Sequence, residues 1–229
     1  MAKHGKKYAE ANKFIEEGKA YETKEAVELL EKTNYVKFDP TVEIHFRLGI
    51  DPKHADQQVR STITLPNGTG KSVKVAAFTD TGNEKALISW GANIAGGEDL
   101  IDQIAKGGDI DFDIAIATPG MMKHMGKVAK ILGPKGLMPN PKAGTVGEDL
   151  EAVLKELQGG RFEFKNDKQG NVHSVIGKLS FGVDKLAENL EFFLTAMKEA
   201  KPTGVKNSAT FIHSVTICNA MGPGIAVRI

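Results

Sequence analysis

The chain has 229 residues, of which 41% are hydrophobic and 26% charged, and its formal net charge at pH 7 is +1. This composition is typical of a globular protein and excludes a disordered tail, a collagen-like fibre and a coiled-coil rod. One cysteine, Cys218, excludes an internal disulfide framework and a multi-cysteine zinc site. No apolar run is long enough to span a membrane, and no secretory signal begins the sequence, so we expect a cytoplasmic protein.

The first third of the chain predicts two helices followed by two strands. Thr23 precedes an apolar helical face and is interpreted as the N-cap of the second helix. Residues 42–48 alternate between apolar and polar, which indicates a half-buried strand. Residues 59–65 predict the second strand, which the turn cluster Pro66-Asn67-Gly68 ends.

In the middle of the chain, short apolar strands alternate with helices. The predicted strands are residues 73–79, 92–94 and 113–118, and the predicted helices are 83–89, 97–106, 121–132 and 146–158. A loop rich in glycine and proline is expected at residues 133–145. Alternation of this kind is typical of βαβ units, so we expect a parallel, Rossmann-like sheet.

The last third returns to strands, predicted at residues 161–165, 172–179 and 209–218, with one helix at 183–198. Neither end segment is complete alone, and together they can form one antiparallel sheet with helices on one face. We therefore predict a discontinuous α+β domain from residues 1–67 and 160–229. An α/β Rossmann-like domain at residues 68–159 is inserted into it.

Local motifs for catalysis fail when they are tested. Residues 68–72 resemble the end of a phosphate-binding loop, but Leu65 stands where that loop needs glycine, and a strand follows instead of a helix. Asp109, Asp111 and Asp113 resemble the opening of a calcium loop that lacks its later Gly and Glu. The histidines show no metal-ligand spacing, so we expect no enzyme activity, no cofactor and no metal. An enzyme that uses a cleft between the two domains is the alternative.

Basic residues concentrate in residues 120–143, which contain five lysines and no acidic residue. The proline-held loop within this stretch has the length of a functional loop rather than of a connector. Its lysines can neutralise phosphates without reading sequence. We predict a second, weaker nucleic-acid contact here, and the alternative is a solvated face. The residues chosen for this contact are Lys127, Lys130, Lys135 and Lys142.

Two short segments flank the predicted antiparallel sheet. Lys37-Phe38-Asp39-Pro40-Thr41 leads into its first strand, and Met221-Gly222-Pro223-Gly224 follows its last. An exposed Phe or Met beside Gly can lie against a nucleoside, and Lys37, Lys165 and Lys168 can meet phosphates. Spacing alone favours a simpler interpretation of the first segment, an ordinary entry into a strand with Phe38 in the core.

These two segments and residues 133–142, GPKGLMPNPK, resemble the bacterial L-one family of large-subunit ribosomal proteins over essentially the whole chain. The resemblance implies a two-domain fold with the middle domain inserted. It also implies binding to large-subunit ribosomal RNA at the mobile stalk beside the tRNA exit site. Release of deacylated exit-site tRNA and repression of the protein's own operon mRNA are implied as well. We expect a monomer when the protein is free.

The resemblance further implies which residues contact RNA. The expected contacts are Glu28, Lys37, Phe38, Thr41, Ser214, Met221 and Gly222, with Lys165, Lys168 and His173 as additional candidates. Glu28 is expected to accept hydrogen bonds from sugar hydroxyls or to fix neighbouring Lys or Ser side chains. Ala220 stands where Thr is expected, so one hydrogen bond to RNA is missing. A third alternative, a protein-only scaffold, predicts apolar surface patches instead of lysine clusters.

Overall fold

A computed structural model describes residues 5–71, 73–80, 82–108, 110–205 and 211–229, without the side chains of Lys142 and Gln158. Ser72, Asp109 and the first two residues of the strand expected at 209–218 therefore lie outside the described residues. The chain forms two compact units. One runs to Gly70 and resumes at Glu163, and the other runs from Lys71 to Phe162.

In chain order the helices and strands are α1 (Lys6–Asn12), α2 (Thr23–Lys32), β1 (Thr41–Leu48), β2 (Arg60–Thr64), β3 (Val75–Phe78), α3 (Glu84–Ser89), β4 (Ile94–Gly96), α4 (Glu98–Ala105), β5 (Ile114–Ala117), α5 (Ala129–Lys135), α6 (Leu150–Gln158), β6 (Arg161–Lys165), β7 (Asn171–Lys178), α7 (Val183–Glu199), β8 (Ile212–Asn219) and β9 (Ile225–Val227). Three short 3₁₀ helices span Met121–Val128, Pro141–Ala143 and Leu179–Phe181. In the part of the chain that the structure describes, no helix combines the length and the apolarity needed to cross a bilayer.

The discontinuous unit contains a four-stranded antiparallel sheet in the order β7-β1-β8-β9. Alternate residues of β1 are buried, and α2 and α7 pack together on the covered side. Phe193 of α7 stacks on Phe46 of β1 with 5.5 Å between ring centroids. Burial of such side chains stabilises the fold by about 1.5–3 kcal/mol each. The predicted combination of an antiparallel sheet and helices is confirmed.

The prediction of one continuous antiparallel sheet was wrong at β2 and β6, which pair with each other in a separate two-stranded sheet. Phe164 of β6 joins the same core, with its ring centroid 5.3 Å from that of Phe193. Sequence reasoning also missed β9, which pairs with β8 through Ile217 and Ile225. A strand of three residues is too short to show a period of two.

The second unit is built on a three-stranded parallel sheet in the order β4-β3-β5. Apolar residues cover both of its faces. One cluster joins Phe78 to Met121, Met125 and Leu132, and the other joins Val75 to Leu87 and Leu154. Burial on both faces is typical of parallel sheets. The predicted parallel sheet is confirmed, and its Rossmann-like character stays a prediction.

Three local predictions were wrong. Thr23 is the first residue of α2 rather than its N-cap, and its hydroxyl donates to Glu191 of α7 at 3.0 Å. The helix expected at 121–132 begins as a 3₁₀ helix, since Gly126 disfavours the α conformation by about 1 kcal/mol. The loop expected from residue 133 begins later, because α5 continues through Pro134. Gly136 ends α5 with φ +73°, and the Leu137 N–H donates to the Leu132 carbonyl at 3.0 Å.

Candidate RNA-binding surface

The four-stranded sheet has one polar face, called the open face below, on which no helix packs among the described residues. Strand geometry sends alternate side chains to opposite faces. On β1 the residues that are not buried are Thr41, Glu43, His45 and Arg47. Ser214 of β8 lies opposite Arg47, and His173 of β7 lies opposite His45. The structure therefore brings Thr41, Ser214 and His173, three predicted contacts, onto one face.

The turn after β8 holds Met221 at the end of the sheet where β1 begins. The Ala220 N–H donates to the Thr41 carbonyl at 2.9 Å, and the Gly222 N–H donates to the Asn219 carbonyl at 2.8 Å. Met221 has φ +72°, which is unusual for a residue other than glycine. Its side chain is 70% exposed. An apolar side chain is thus held in solvent by a strained backbone, a combination that points to function.

Phe38 is exposed because the segment before β1 is fixed by residues that directly follow β7, at the same end of the sheet. The Asp39 carboxylate accepts hydrogen bonds from the Ser180 backbone N–H at 3.0 Å and from its hydroxyl at 2.7 Å. The Leu179 N–H donates to the Pro40 carbonyl at 3.0 Å. These bonds leave Phe38 57% exposed, so the interpretation that placed it in the core was wrong. Lys37 is exposed beside it.

Lys165 and Lys168 lie around the turn between β6 and β7, and both are exposed. The Asp167 carboxylate shapes this turn by accepting the N–H groups of Gln169 and Asn171, each at 2.8 Å. The Leu48 N–H donates to the Gly170 carbonyl at 3.0 Å, which ties the turn to the last residue of β1. Lys168 is therefore at the same end of the sheet as Ser214.

The predicted contacts divide between two ends of the sheet. Phe38, Thr41 and Met221 are at the start of β1, and Ser214 and Lys168 are at its end. Arg47 lies six residue steps along the strand from Thr41, a distance of about 20 Å at about 3.3 Å per residue. That span suits several nucleotides of RNA backbone. Glu28 is exposed on α2, which packs on the covered side, so it does not lie on the open face.

Sequence reasoning missed Tyr35 and Arg47. The Tyr35 hydroxyl donates to the Met221 carbonyl oxygen, a contact between residues far apart in sequence that spacing cannot reveal. Arg47 is exposed on the open face, and its place in the alternating pattern of β1 was a signal that could have found it. Within the described residues, Lys37, Arg47, Lys165 and Lys168 take part in none of the ion pairs, so their charges are available to phosphates.

Two ionisable groups at the middle of the open face have shifted pKa values. Partial burial, followed by the neighbouring His173, lowers the pKa of His45, and Glu43 opposes that shift. Partial burial, with the negative charge of Glu43, raises the pKa of the Cys218 thiol. His45 is thus favoured as a neutral imidazole and Cys218 as a thiol.

The predicted lysines of the second unit are only partly available to a ligand. Lys130 and Lys135 are exposed on α5. Lys127 forms an ion pair with Asp102 of α4 at 3.1 Å, and His124 lies 3.2 Å from Glu98. The acidic residues of α4 therefore neutralise part of the positive charge of residues 120–143, a stretch that contains no acidic residue of its own. The Lys142 side chain lies outside the described residues.

The described residues of the glycine-rich sequence before β3 do not form a phosphate-binding loop. Gly68 and Gly70 have φ +65° and +70°, and the next regular element is the strand β3. The amide cradle that a helix N-terminus gives to phosphate is therefore missing. The turn is held instead by the buried Asn189, whose Oδ1 accepts from the Asn67 N–H at 3.1 Å and whose amide donates to the Gly68 carbonyl at 3.1 Å.

Comparison with known proteins shows which family the chain belongs to. The profile of the ribosomal protein L1p/L10e family matches residues 29–223. The chain is 49% identical to the large ribosomal subunit protein uL1 of Chloroflexus aggregans over 229 residues, covering 99% of this chain and 96% of the relative. It is 49% identical to uL1 of Thermosipho melanesiensis over 228 residues (100% and 97%) and 46% identical to uL1 of Solibacter usitatus over 225 residues (98% and 94%). The chain therefore belongs to the ribosomal protein L1p/L10e family.

Proposed function

We propose that this protein binds large-subunit ribosomal RNA at the mobile stalk beside the tRNA exit site, through the open face and the two segments at its edge. The observation that carries the proposal is the exposure of Phe38 and Met221 on hydrogen-bonded backbone. RNA is commonly recognised by stacking unpaired bases on exposed side chains while basic groups meet the phosphates. Lys37, Arg47 and Lys168 supply such groups here.

Membership in the family gives the chain a structural role in the large ribosomal subunit, and with it a location in the cytoplasmic ribosome. The alternative of an enzyme finds no support, since the relatives carry the names of ribosomal proteins. The chemistry that suits the role is binding, with rigid presentation of side chains to RNA. Catalysis is not part of the proposed function.

We propose two further activities, one for the open face and one for the second unit. A messenger RNA that folds like the ribosomal site would compete for the open face, so the protein would repress translation of its own operon when it exceeds its ribosomal RNA. Release of deacylated tRNA from the exit site would use the second unit, where Lys130 and Lys135 are exposed. Contacts of these lysines to tRNA phosphates need no particular sequence.

The proposal is tested by binding of a ribosomal stalk RNA fragment to three variants. Met221→Asp removes an apolar contact and adds a repelling carboxylate, with an expected loss of about 2–4 kcal/mol. Phe38→Ala removes a stacking surface, with an expected loss of about 1–3 kcal/mol. Phe192→Ala is the matched control, because Phe192 is 48% exposed on α7, which packs on the covered side.

Fluorescence anisotropy gives the three affinities, and circular dichroism verifies that each variant is folded. Unchanged binding by folded Met221→Asp and Phe38→Ala would contradict the proposed surface. Competition by the operon leader RNA separates the repressor activity from ribosome binding. A leader that fails to displace the stalk fragment would remove the repressor proposal and leave the ribosomal one intact.

A further inference from the structure

Three groups with metal-binding chemistry meet at the centre of the open face. Glu43 and His45 are on the same face of β1, and Cys218 lies opposite Glu43 on β8. His45 Nε2 is 3.3 Å from Cys218 Sγ and 3.7 Å from Glu43 Oε2. One ligand atom from each residue lies within 4.8 Å of the others. These residues are called the Glu43–His45–Cys218 cluster below.

A second layer of side chains orients the imidazole of His45. His45 Nδ1 is 2.9 Å from His173 Nδ1, and His173 Nε2 is 3.6 Å from Asp167 Oδ2. A proton on His173 Nε2 faces the Asp167 carboxylate favourably, which leaves His173 Nδ1 as an acceptor. We therefore assign the proton of His45 to Nδ1, and its Nε2 lone pair then points toward Cys218 and Glu43.

This chain of contacts is the arrangement that metal-binding histidines use. A ligating imidazole donates its other N–H to a neighbouring group, and that bond fixes both the tautomer and the ring orientation. Here His173 receives the N–H of His45, and Asp167 supports His173 in turn. Support of this kind by His173 and Asp167 is expected when His45 Nε2 binds a metal ion. A polar surface without a metal site does not require these contacts.

We propose that the Glu43–His45–Cys218 cluster binds one Zn²⁺ ion, with Cys218 Sγ, His45 Nε2 and a Glu43 carboxylate oxygen as ligands. Zinc takes thiolate, imidazole and carboxylate ligands at about 2.0–2.3 Å in tetrahedral geometry. Bonds of that length place the ligand atoms about 3.3–3.8 Å from one another, and His45 Nε2 lies 3.3 Å from Cys218 Sγ and 3.7 Å from Glu43 Oε2. The side chains of His45 and Glu43 are 31% and 43% exposed, so a water molecule can take the fourth position.

Binding changes the charge of the open face. Cys218 loses its thiol proton to solvent when the zinc–sulfur bond forms, so the thiolate and the Glu43 carboxylate together balance the two charges of the ion. Without the metal, the Glu43 carboxylate places a negative charge at the centre of the face. A neutral centre is more compatible with a phosphate backbone than an anionic one. Local spacing misses the site because its ligands come from two strands far apart in sequence.

The inference is tested on the full chain without RNA, using Co²⁺ as a spectroscopic substitute for Zn²⁺. Because Cys218 is the single cysteine, a thiolate-to-cobalt charge-transfer band reports on this cluster alone. We expect the band to appear in proportion to protein, to disappear in Cys218→Ser and to be displaced by Zn²⁺. His54→Gln is the matched control, since His54 is an exposed histidine 3.7 Å from the Asp51 carboxylate.

The remaining variants separate a metal site from a hydrogen-bonded polar cluster. His45→Gln should abolish the band, Glu43→Gln should weaken Co²⁺ affinity, and His173→Gln should weaken it about 10–100-fold while the band stays. His54→Gln should leave affinity unchanged. The absence of a thiolate band in the wild-type chain, or a band that survives His45→Gln at full affinity, would overturn the proposal. These measurements contain no RNA, so they stand apart from the test of ribosomal binding.

Discussion

The Tyr35 hydroxyl donates a hydrogen bond to the carbonyl oxygen of Met221, which follows it by 186 residues. Met221 has a left-handed backbone conformation and a side chain in solvent. The bond from Tyr35 restrains the peptide that follows Met221, so the exposed thioether is presented in one orientation. Rigid presentation reduces the entropy lost on binding.

Tyr35→Phe removes that hydrogen bond and keeps the ring. We expect RNA affinity to fall by about 0.5–1.5 kcal/mol, the usual net value of one hydrogen bond. Tyr21→Phe is the matched control, because the Tyr21 hydroxyl accepts a hydrogen bond from the Glu16 N–H at 2.9 Å. It should change stability without changing RNA affinity. Equal losses of affinity in the two variants would contradict a positioning role for Tyr35.

Asp39 and Ser180 predict a dependence of stability on pH. The Ser180 hydroxyl lowers the pKa of Asp39 below its usual value, and the Ser180 backbone N–H adds to this effect. Because the folded pKa is the lower one, the ionised carboxylate stabilises the fold above the unfolded pKa. That contribution is lost as pH falls through the folded pKa. Asp39 is exposed, so solvent screening keeps the contribution small.

Urea unfolding of Asp39→Asn across a series from neutral to acidic pH measures this contribution. The variant should be less stable than the wild type at neutral pH, and the difference should shrink as the solution becomes more acidic. Ser89→Ala is the control, since the Ser89 hydroxyl donates to the Ala86 carbonyl and involves no carboxylate. A stability difference for Asp39→Asn that stays constant across the series would exclude the ionised hydrogen bond as its cause.

The sequence predicted those elements whose signal is long and regular. The alternation of residues 42–48 located β1, and the apolar face of residues 183–198 located α7 almost to its ends. Residues 161–165 matched β6 at both ends. Local reasoning predicted less well where tertiary contacts decide the structure. Phe38 is exposed because Asp39 and Pro40 are bonded to Ser180 and Leu179, residues that no local window includes.

The residues of the candidate site divide in the same way, into those with a local sequence signal and those placed by tertiary contacts. Lys37, Phe38 and Met221 were found through short segments with recognisable glycine, proline and aromatic content. Tyr35, His45 and Arg47 reach the site through register between strands and through one long-range hydrogen bond. Register depends on how β1 pairs with β7 and β8, and a pattern of period two does not state which strands pair.

We expect the discontinuous unit to fold and to bind RNA without the second unit. Residues 1–70 joined to residues 160–229 by a short Gly-Ser linker should fold and should bind a short ribosomal RNA fragment nearly as well as the full chain. The contacts among Phe46, Phe164 and Phe193 lie wholly within this part, and β2 and β6 are hydrogen-bonded neighbours. Circular dichroism and anisotropy check the two properties. A folded product that has lost most of its affinity would contradict the placement of the main site.

The exposed lysines of α5 predict a change in salt dependence. Each phosphate neutralised contributes about 0.7–0.9 to the slope of log affinity against log salt. Lys130→Gln with Lys135→Gln should therefore make the slope shallower for a full stalk RNA and leave it unchanged for a short fragment. Lys155→Gln is the control for loss of a single lysine charge in the same unit, because Lys155 forms an ion pair with Glu151 on α6 at 2.6 Å. Identical slopes on the full stalk RNA would support a solvated face.

The strained backbone and exposed side chain of Met221 predict that one substitution can raise stability and lower RNA affinity. A left-handed conformation lowers the stability of the folded state by about 1–2 kcal/mol when the residue is not glycine. Glycine adopts this conformation without that cost, but its greater backbone freedom in the unfolded chain lowers stability by about 0.5–1 kcal/mol. Met221→Gly should therefore raise the free energy of unfolding by up to about 1.5 kcal/mol. The same change removes the exposed side chain, so RNA affinity should fall.

Ala220→Gly is the control, because Ala220 has no positive φ to relieve and should gain no stability. Denaturant unfolding and anisotropy on the same preparations measure both quantities. A gain in stability with unchanged affinity would show that Met221 is strained without serving RNA, and a loss of both would show that its side chain supports the turn.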